Sequence, residues 1–146
     1  MQTLHYLKRK GDEFMKIKLS GRELDVMNVL WSVQKPMVAS EICRANPSLS
    51  INTVQAVLKS LLKRNLIRIA DIVYSGTVLT RSYETVLSAS DYSISQFKNS
   101  LAVVKNDITT VGLIAALLEQ EDNEEEVINE LEELLKVRRR QLEGGN

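Results

Sequence analysis

The sequence predicts a mostly α chain with one small β-hairpin. Three observations carry that expectation. Apolar residues recur at helical spacing along most of the chain, strict alternation replaces that spacing only between Leu66 and Tyr83, and capping residues mark where helices begin. At 146 residues, 44% apolar and 26% charged, the chain suits one ordinary globular domain or two small ones. No apolar run approaches the ~20 residues that cross a bilayer. The opening "MQTLHYLKRKGDEF" lacks the apolar stretch of a secretory signal. A cytoplasmic protein with no membrane partner is therefore expected.

The elements follow in order. Residues 1–14 read as an arm. In "LSGRELDVMNVLWSV", Ser20 is the N-cap and Glu23, three residues on, completes a capping box. Leu24, Met27 and Trp31 share one stripe that Val26, Val29, Leu30 and Val33 widen, so this helix belongs at the centre of a core. Trp31 reads as a core residue. Pro36 disfavours helix at Lys35 and ends it. A short helix, "VASEICRA", turns Ile42 inward, and "NPSLS" is a turn by composition. The only cysteine, Cys43, lies in that short helix; it cannot form an internal disulfide and reads as a buried structural thiol. The next helix is capped by Ser50, buries Val54, Val57, Leu58, Leu61 and Leu62, and ends at Asn65 in a left-handed conformation. "LIRIADIV" then alternates, with Ile67, Ile69 and Asp71 on one face and Arg68, Ala70 and Ile72 on the other. A turn at Gly76 and the strand-like "VLTRSY" complete a hairpin.

From Ser88 the chain is helical again. Ser88 or Ser90 caps a helix whose Ile94, Phe97, Leu101 and Val104 form a heptad-like seam. "DITTVGLIAALLEQ" is apolar almost all round, with Val111, Ile114 and Leu118 among its residues. The last helix opens at Asn123, carries Val127, Leu131 and Leu134, and places acids early and basic residues late, as the helix dipole favours. Three helices in about 55 residues expose more apolar surface than so small a unit can hide alone. A second copy of the chain is the simplest cover, although packing on the N-terminal half of the same chain would also serve. The expected organisation is an arm (1–14), a winged helix-turn-helix (15–87), a three-helix dimerisation region (88–142) and a tail (143–146).

Helix, short helix, turn, longer helix and hairpin is the order of a winged helix-turn-helix, in which the longer helix enters the DNA major groove and the hairpin lies against the backbone. Asn52, Thr53, Gln55 and Ala56 lie near the start of that helix, where amides, hydroxyls and methyls can read base edges. Asn and Thr also suit helix starts for local reasons, and the order of elements is what favours base contact. Lys59, Ser60 and Lys63 lie further along, where phosphates are nearer, and Arg68, Tyr74, Ser75, Thr77 and Arg81 are the candidates of the wing. Arg64 suits solvation of the helix or capping of its end. Zero net charge conceals an asymmetry. Residues 1–87 hold 13 Lys and Arg against 7 Asp and Glu, and residues 88–146 hold 6 against 12. A basic half joined to an acidic one fits a chain whose first half alone meets a polyanion.

The phrases "MKIKLSGRELDVMNVLW", "ASEI", "LSINTVQAVLKSLLKRNLI" and "LSASDY" together resemble the penicillinase-repressor family (the BlaI/MecI/CopY type) from about Met15 to Leu142. The resemblance implies a homodimeric winged-helix repressor of dyad-symmetric operators near antibiotic-resistance or metal-homeostasis genes, joined through its C-terminal helices. It places the base-reading positions on Asn52, Thr53, Gln55 and Ala56. The chain departs from the family in several places. It has no Asn-Phe bond for proteolytic inactivation, the corresponding segment reading "QFKNSLAVVKN", and no C-terminal Cys-x-Cys pair. Val38 stands where a Thr usually caps the second helix, and the wing lacks a run of tyrosines. The arm before Met15 is extra, and three readings fit it: a disordered segment, an upstream start, or a DNA contact through Lys8, Arg9 and Lys10.

One histidine, His5, and one cysteine supply neither a nucleophile pair nor a histidine metal set, so no enzyme, metal or cofactor is expected. The expected partners are double-stranded operator DNA and a second copy of the chain. The competing expectation is a winged-helix adaptor that binds protein without DNA.

Overall fold

The computed structural model describes residues 17–103 and 108–145. The arm, with His5, Lys8, Arg9 and Lys10, lies outside the described residues, as does Val104. Backbone contacts divide the chain into two compact units that meet between Lys98 and Asn99.

The first unit begins with α1 (Gly21–Val33), and its capping box forms as the sequence predicts. The Glu23 N–H donates to Ser20 Oγ (3.2 Å) and the Ser20 N–H donates to Glu23 Oε1 (3.0 Å). Gln34, left-handed at φ 56, ends the helix and donates its N–H to the Leu30 carbonyl. Strand β1 (Met37–Val38), helix α2 (Ala39–Ala45) and helix α3 (Ile51–Lys63) follow, and then β2 (Ile67–Ser75), β3 (Val78–Thr85) and α4 (Ala89–Val103). Ser88 is the residue that caps α4, its Oγ accepting from the Asp91 N–H.

The core lies where α1, α2 and α3 meet. Val26, Met27, Ile42, Val54, Leu58, Leu61 and Leu87 are fully buried, and Leu30, Leu49, Leu66 and Ile67 nearly so. Trp31 packs at the edge of this core. Its Nε1–H donates to the Leu87 carbonyl (2.9 Å), and its ring lies 5.7 Å from that of Tyr92 in α4. Gln96, also in α4, donates to the Ile17 carbonyl (3.1 Å). Cys43 is half-buried against the core rather than enclosed in it.

The structure corrects two further expectations, both in the sheet. The hairpin is part of a three-stranded antiparallel sheet in the order β1-β3-β2, with Met37 opposite Tyr83 and Val38 opposite Ser82. Val38 therefore belongs to a strand, and α2 starts one residue later than the sequence suggests. No side chain caps α2, a loss of about 1 kcal/mol, and burial of Met37 and Val38 with strand pairing fixes this turn instead.

The second correction concerns β2. Ile69 pairs with Tyr83 and Asp71 with Ser82, so Ala70 is bulged out of register. The bulge moves Asp71 to the face opposite Ile67 and Ile69. One face of the hairpin now carries Ile69, Ile72, Tyr74, Leu79 and Arg81. The other carries Arg68, Asp71, Val73, Ser75, Val78 and Ser82. Asp71 is satisfied locally: its Oδ1 accepts from the Ile72 N–H, and its carbonyl accepts from Ser82 Oγ. The turn has Gly76 at φ 65 in its first central position, as a two-residue II′ hairpin loop requires.

The second unit contains the end of α4, then α5 (Thr110–Leu118) and α6 (Glu124–Glu143). Thr109 caps α5, accepting from the Gly112 N–H (2.9 Å). Asn123 occupies the N-cap of α6, as the sequence predicts, but makes no capping bond through its side chain. No residue of α5 or α6 is buried: Val111 is 78% exposed and Leu117 51%. Ile114, Leu118, Val127, Leu131 and Leu134 are half-buried, as are Ile94 and Leu101 in α4, while Phe97 is 47% exposed. Among the described residues no helix is long and apolar enough to cross a membrane.

Candidate nucleic-acid interface

Both ends of α3 are fixed, the start by local capping bonds and the far end by bonds to distant parts of the first unit. At its start, Ser50 Oγ accepts from the Thr53 N–H (3.1 Å) and shares a hydrogen bond with Thr53 Oγ1 (2.9 Å). The preceding turn is held by Asn46 Oδ1, which accepts from the N–H (3.2 Å) and the hydroxyl (2.6 Å) of Ser48. At the far end Arg64 acts as a clamp, donating from Nη1 to Glu23 Oε2 (2.7 Å) and from Nη2 to the Lys18 carbonyl (2.9 Å). Asn65 is left-handed at φ 57, as its position suggests.

Glu23 therefore joins the start of α1 to the end of α3. Burial opposes its ionisation, but the Ser20 N–H, the Arg64 guanidinium and the Ser20 hydroxyl outweigh that and hold its carboxyl below the usual 4.5. Ser60 donates weakly to the same carboxylate (3.4 Å).

With its buried side against the core, α3 turns Asn52, Gln55, Ala56, Lys59, Ser60 and Lys63 to solvent. The side chains of Asn52, Gln55, Lys59 and Lys63 make no hydrogen bond or ion pair among the described residues. Thr53 is half-buried and engaged with the cap. The exposed stripe is thus amide and methyl near the start and ammonium two turns on. Sequence reasoning missed Ile51, which is 43% exposed at the first helical position. The signal was the cap itself: once Ser50 is the N-cap, Ile51 begins the helix at the rim of the stripe.

The structure separates the wing candidates. Tyr74 and Arg81 share one face with Ile72 and Leu79, and Thr77 sits in the exposed turn. Arg68 and Ser75 lie on the other face. Arg68 pairs with Glu84 (2.6 Å) near the base of the hairpin, and the Ser75 hydroxyl lies 3.4 Å from that of Ser40 in α2. The wing tip is more apolar than the sequence reading emphasised, since Ile72, Tyr74, Val78 and Leu79 are all more than half exposed. Among the described residues no group of acids, histidine and cysteine is arranged to hold a metal.

The model of the penicillinase repressor family matches residues 19–137, which include all of α1 to α5 and most of α6. The chain belongs to the penicillinase repressor family. Members are winged-helix transcriptional repressors, so this member is a DNA-binding regulator. No curated protein matches the chain.

Solved structures of similar shape include a mutant of MepR from a multidrug-resistant S. aureus clinical isolate, at 16% identity and TM-score 0.44, covering 99% of this chain and 93% of that one. The heme sensor protein PefR from Streptococcus agalactiae, in complex with heme, shares 20% identity at TM-score 0.42 over 89% of this chain and 84% of that one. The adhesin competence repressor AdcR from Streptococcus pyogenes shares 17% at 0.42, over 86% and 84%. At that level of likeness the assignment of this penicillinase repressor family member rests on the family match.

Proposed function

We propose that this chain is a homodimeric repressor that binds a dyad-symmetric operator. Residues 88–142 join two copies, and residues 15–87 of each copy place α3 in a major groove. Acting on DNA, it works in the cytoplasm. The carrying observation is the stripe of unpartnered Asn52, Gln55 and Lys59 on a helix clamped at both ends. Such a helix can bring side chains to base edges without losing order as it binds.

In this reading Asn52, Thr53, Gln55 and Ala56 face bases, and Lys59, Ser60 and Lys63 face phosphates. Tyr74, Thr77 and Arg81 bring the wing to the backbone, with Arg68 and Ser75 at its margin. Dimerisation is supported by the apolar residues that α5 and α6 leave uncovered. Two copies would set their α3 helices about 34 Å apart, one turn of duplex. The exposed apolar wing tip favours the second reading, a protein-binding adaptor.

Selection of bound fragments from random duplex DNA, followed by salt titration, separates the two. The repressor reading predicts a dyad-symmetric site and a log–log salt slope of about −5, from Lys59, Lys63 and Arg81 in each copy. An adaptor would select no sequence and show no such slope.

A further inference from the structure

The exposed start of α3 has a chemistry that distinguishes base pairs. In the major groove guanine is taken by Arg or Lys, adenine by Asn or Gln, and the thymine methyl by apolar side chains. The first two turns of α3 offer Ile51, Asn52, Gln55 and Ala56 and no cation. Helix α3 has no arginine, and Lys59 lies about 10 Å further along the axis than Asn52. Arg64 is held by Glu23 and the Lys18 carbonyl. The donors that would suit guanine are therefore absent from the end of the helix that reaches base edges.

The four side chains also form two pairs one turn apart. Ile51 stands beside Gln55, and Asn52 beside Ala56, each pair joining an amide to an apolar group. An A·T pair presents the matching set in the major groove: adenine N6 and N7 next to the thymine methyl. The exposed Ile51 gains a partner in this arrangement that the first unit does not give it.

We infer that the half-site core read by this helix is made of A·T pairs, with Gln55 and Asn52 on adenines and Ile51 and Ala56 against thymine methyls. The inference rests on the operator reading above and adds the class of sequence that the operator contains.

The test uses the full chain. Duplexes are first selected from a random pool, and the thymines of the selected core are then replaced by deoxyuridine, which lacks only the methyl. The expected result is an A·T core and about a fourfold loss of affinity for each methyl removed. Ile51→Ala should bind the thymine duplex as weakly as the wild type binds a duplex with deoxyuridine only next to residue 51, and should no longer respond to that replacement. A dyad-symmetric site with G·C pairs at its core overturns this inference and leaves the operator reading in place. An A·T core indifferent to deoxyuridine in both proteins overturns the role of Ile51 and Ala56. Binding without any sequence preference overturns both the inference and the operator reading.

Discussion

The two units of this chain solve the problem of apolar surface differently. Every buried apolar side chain among the described residues lies between Leu19 and Leu87, whereas α5 and α6 contain none. The first unit is closed by its own residues, from Met27 in α1 to Leu87 before α4, and Trp31 donates to the Leu87 carbonyl within it. The second leaves its apolar residues half-covered or exposed. A helix that is apolar nearly all round usually lies buried, and α5 has no buried residue. The contrast separates a region that folds around itself from one that leaves its apolar side chains uncovered, the face to which the proposed dimer assigns a second copy.

The largest effect should come from charging the uncovered surface. Leu131→Asp should convert the dimer to monomer in sedimentation while the near-ultraviolet signal of Trp31 persists. Loss of both together would show that the units are not independent in this way. Next in size, Leu58→Ala removes a buried side chain of α3 and should cost about 2–5 kcal/mol in denaturant unfolding of the first unit. A cost below about 1 kcal/mol would mean that this core is looser than its burial indicates.

Glu23→Gln should cost about 1.5–3 kcal/mol, because hydrogen bonds to charged Arg64 and to the helix start are weakened together. Its effect depends on pH with a fixed sign. Glu23 ionises more readily in the folded chain than at its ordinary value of 4.5. Its contribution is thus fully present above that value and fades as pH falls through the lower folded value. Wild type and Glu23→Gln should converge in stability in acid, and a gap that widens there would reverse the assignment. The smallest effect is expected from Lys59→Ala, which should weaken operator and random duplex equally and flatten the salt slope by about two units per dimer. A loss confined to the operator would make Lys59 a base reader.

Much of the first unit was legible because its signals are local. Ser20 and Glu23 are three residues apart, Val54, Val57, Leu58 and Leu61 recur at helical spacing, and Asn65 tolerates the left-handed turn. What escaped depends on residues far apart in sequence. Strand β1 is two residues long beside Pro36, and only Ser82 and Tyr83 make it a strand. The bulge at Ala70 is defined by register against β3, so alternation alone misassigned Asp71. The Arg64 clamp closes on Glu23 across 41 positions, which is why Arg64 read as a solvated charge. For the candidate interface, residue types on α3 were legible, but the division of the wing into two faces was not.

Sedimentation velocity of the full chain across a concentration series tests the contrast most directly. The expected result is a dimer at micromolar concentration that binds one dyad-symmetric duplex as a unit, two chains to one DNA. A species that stays monomeric at every concentration, with no shift when duplex is added at low salt, would contradict it.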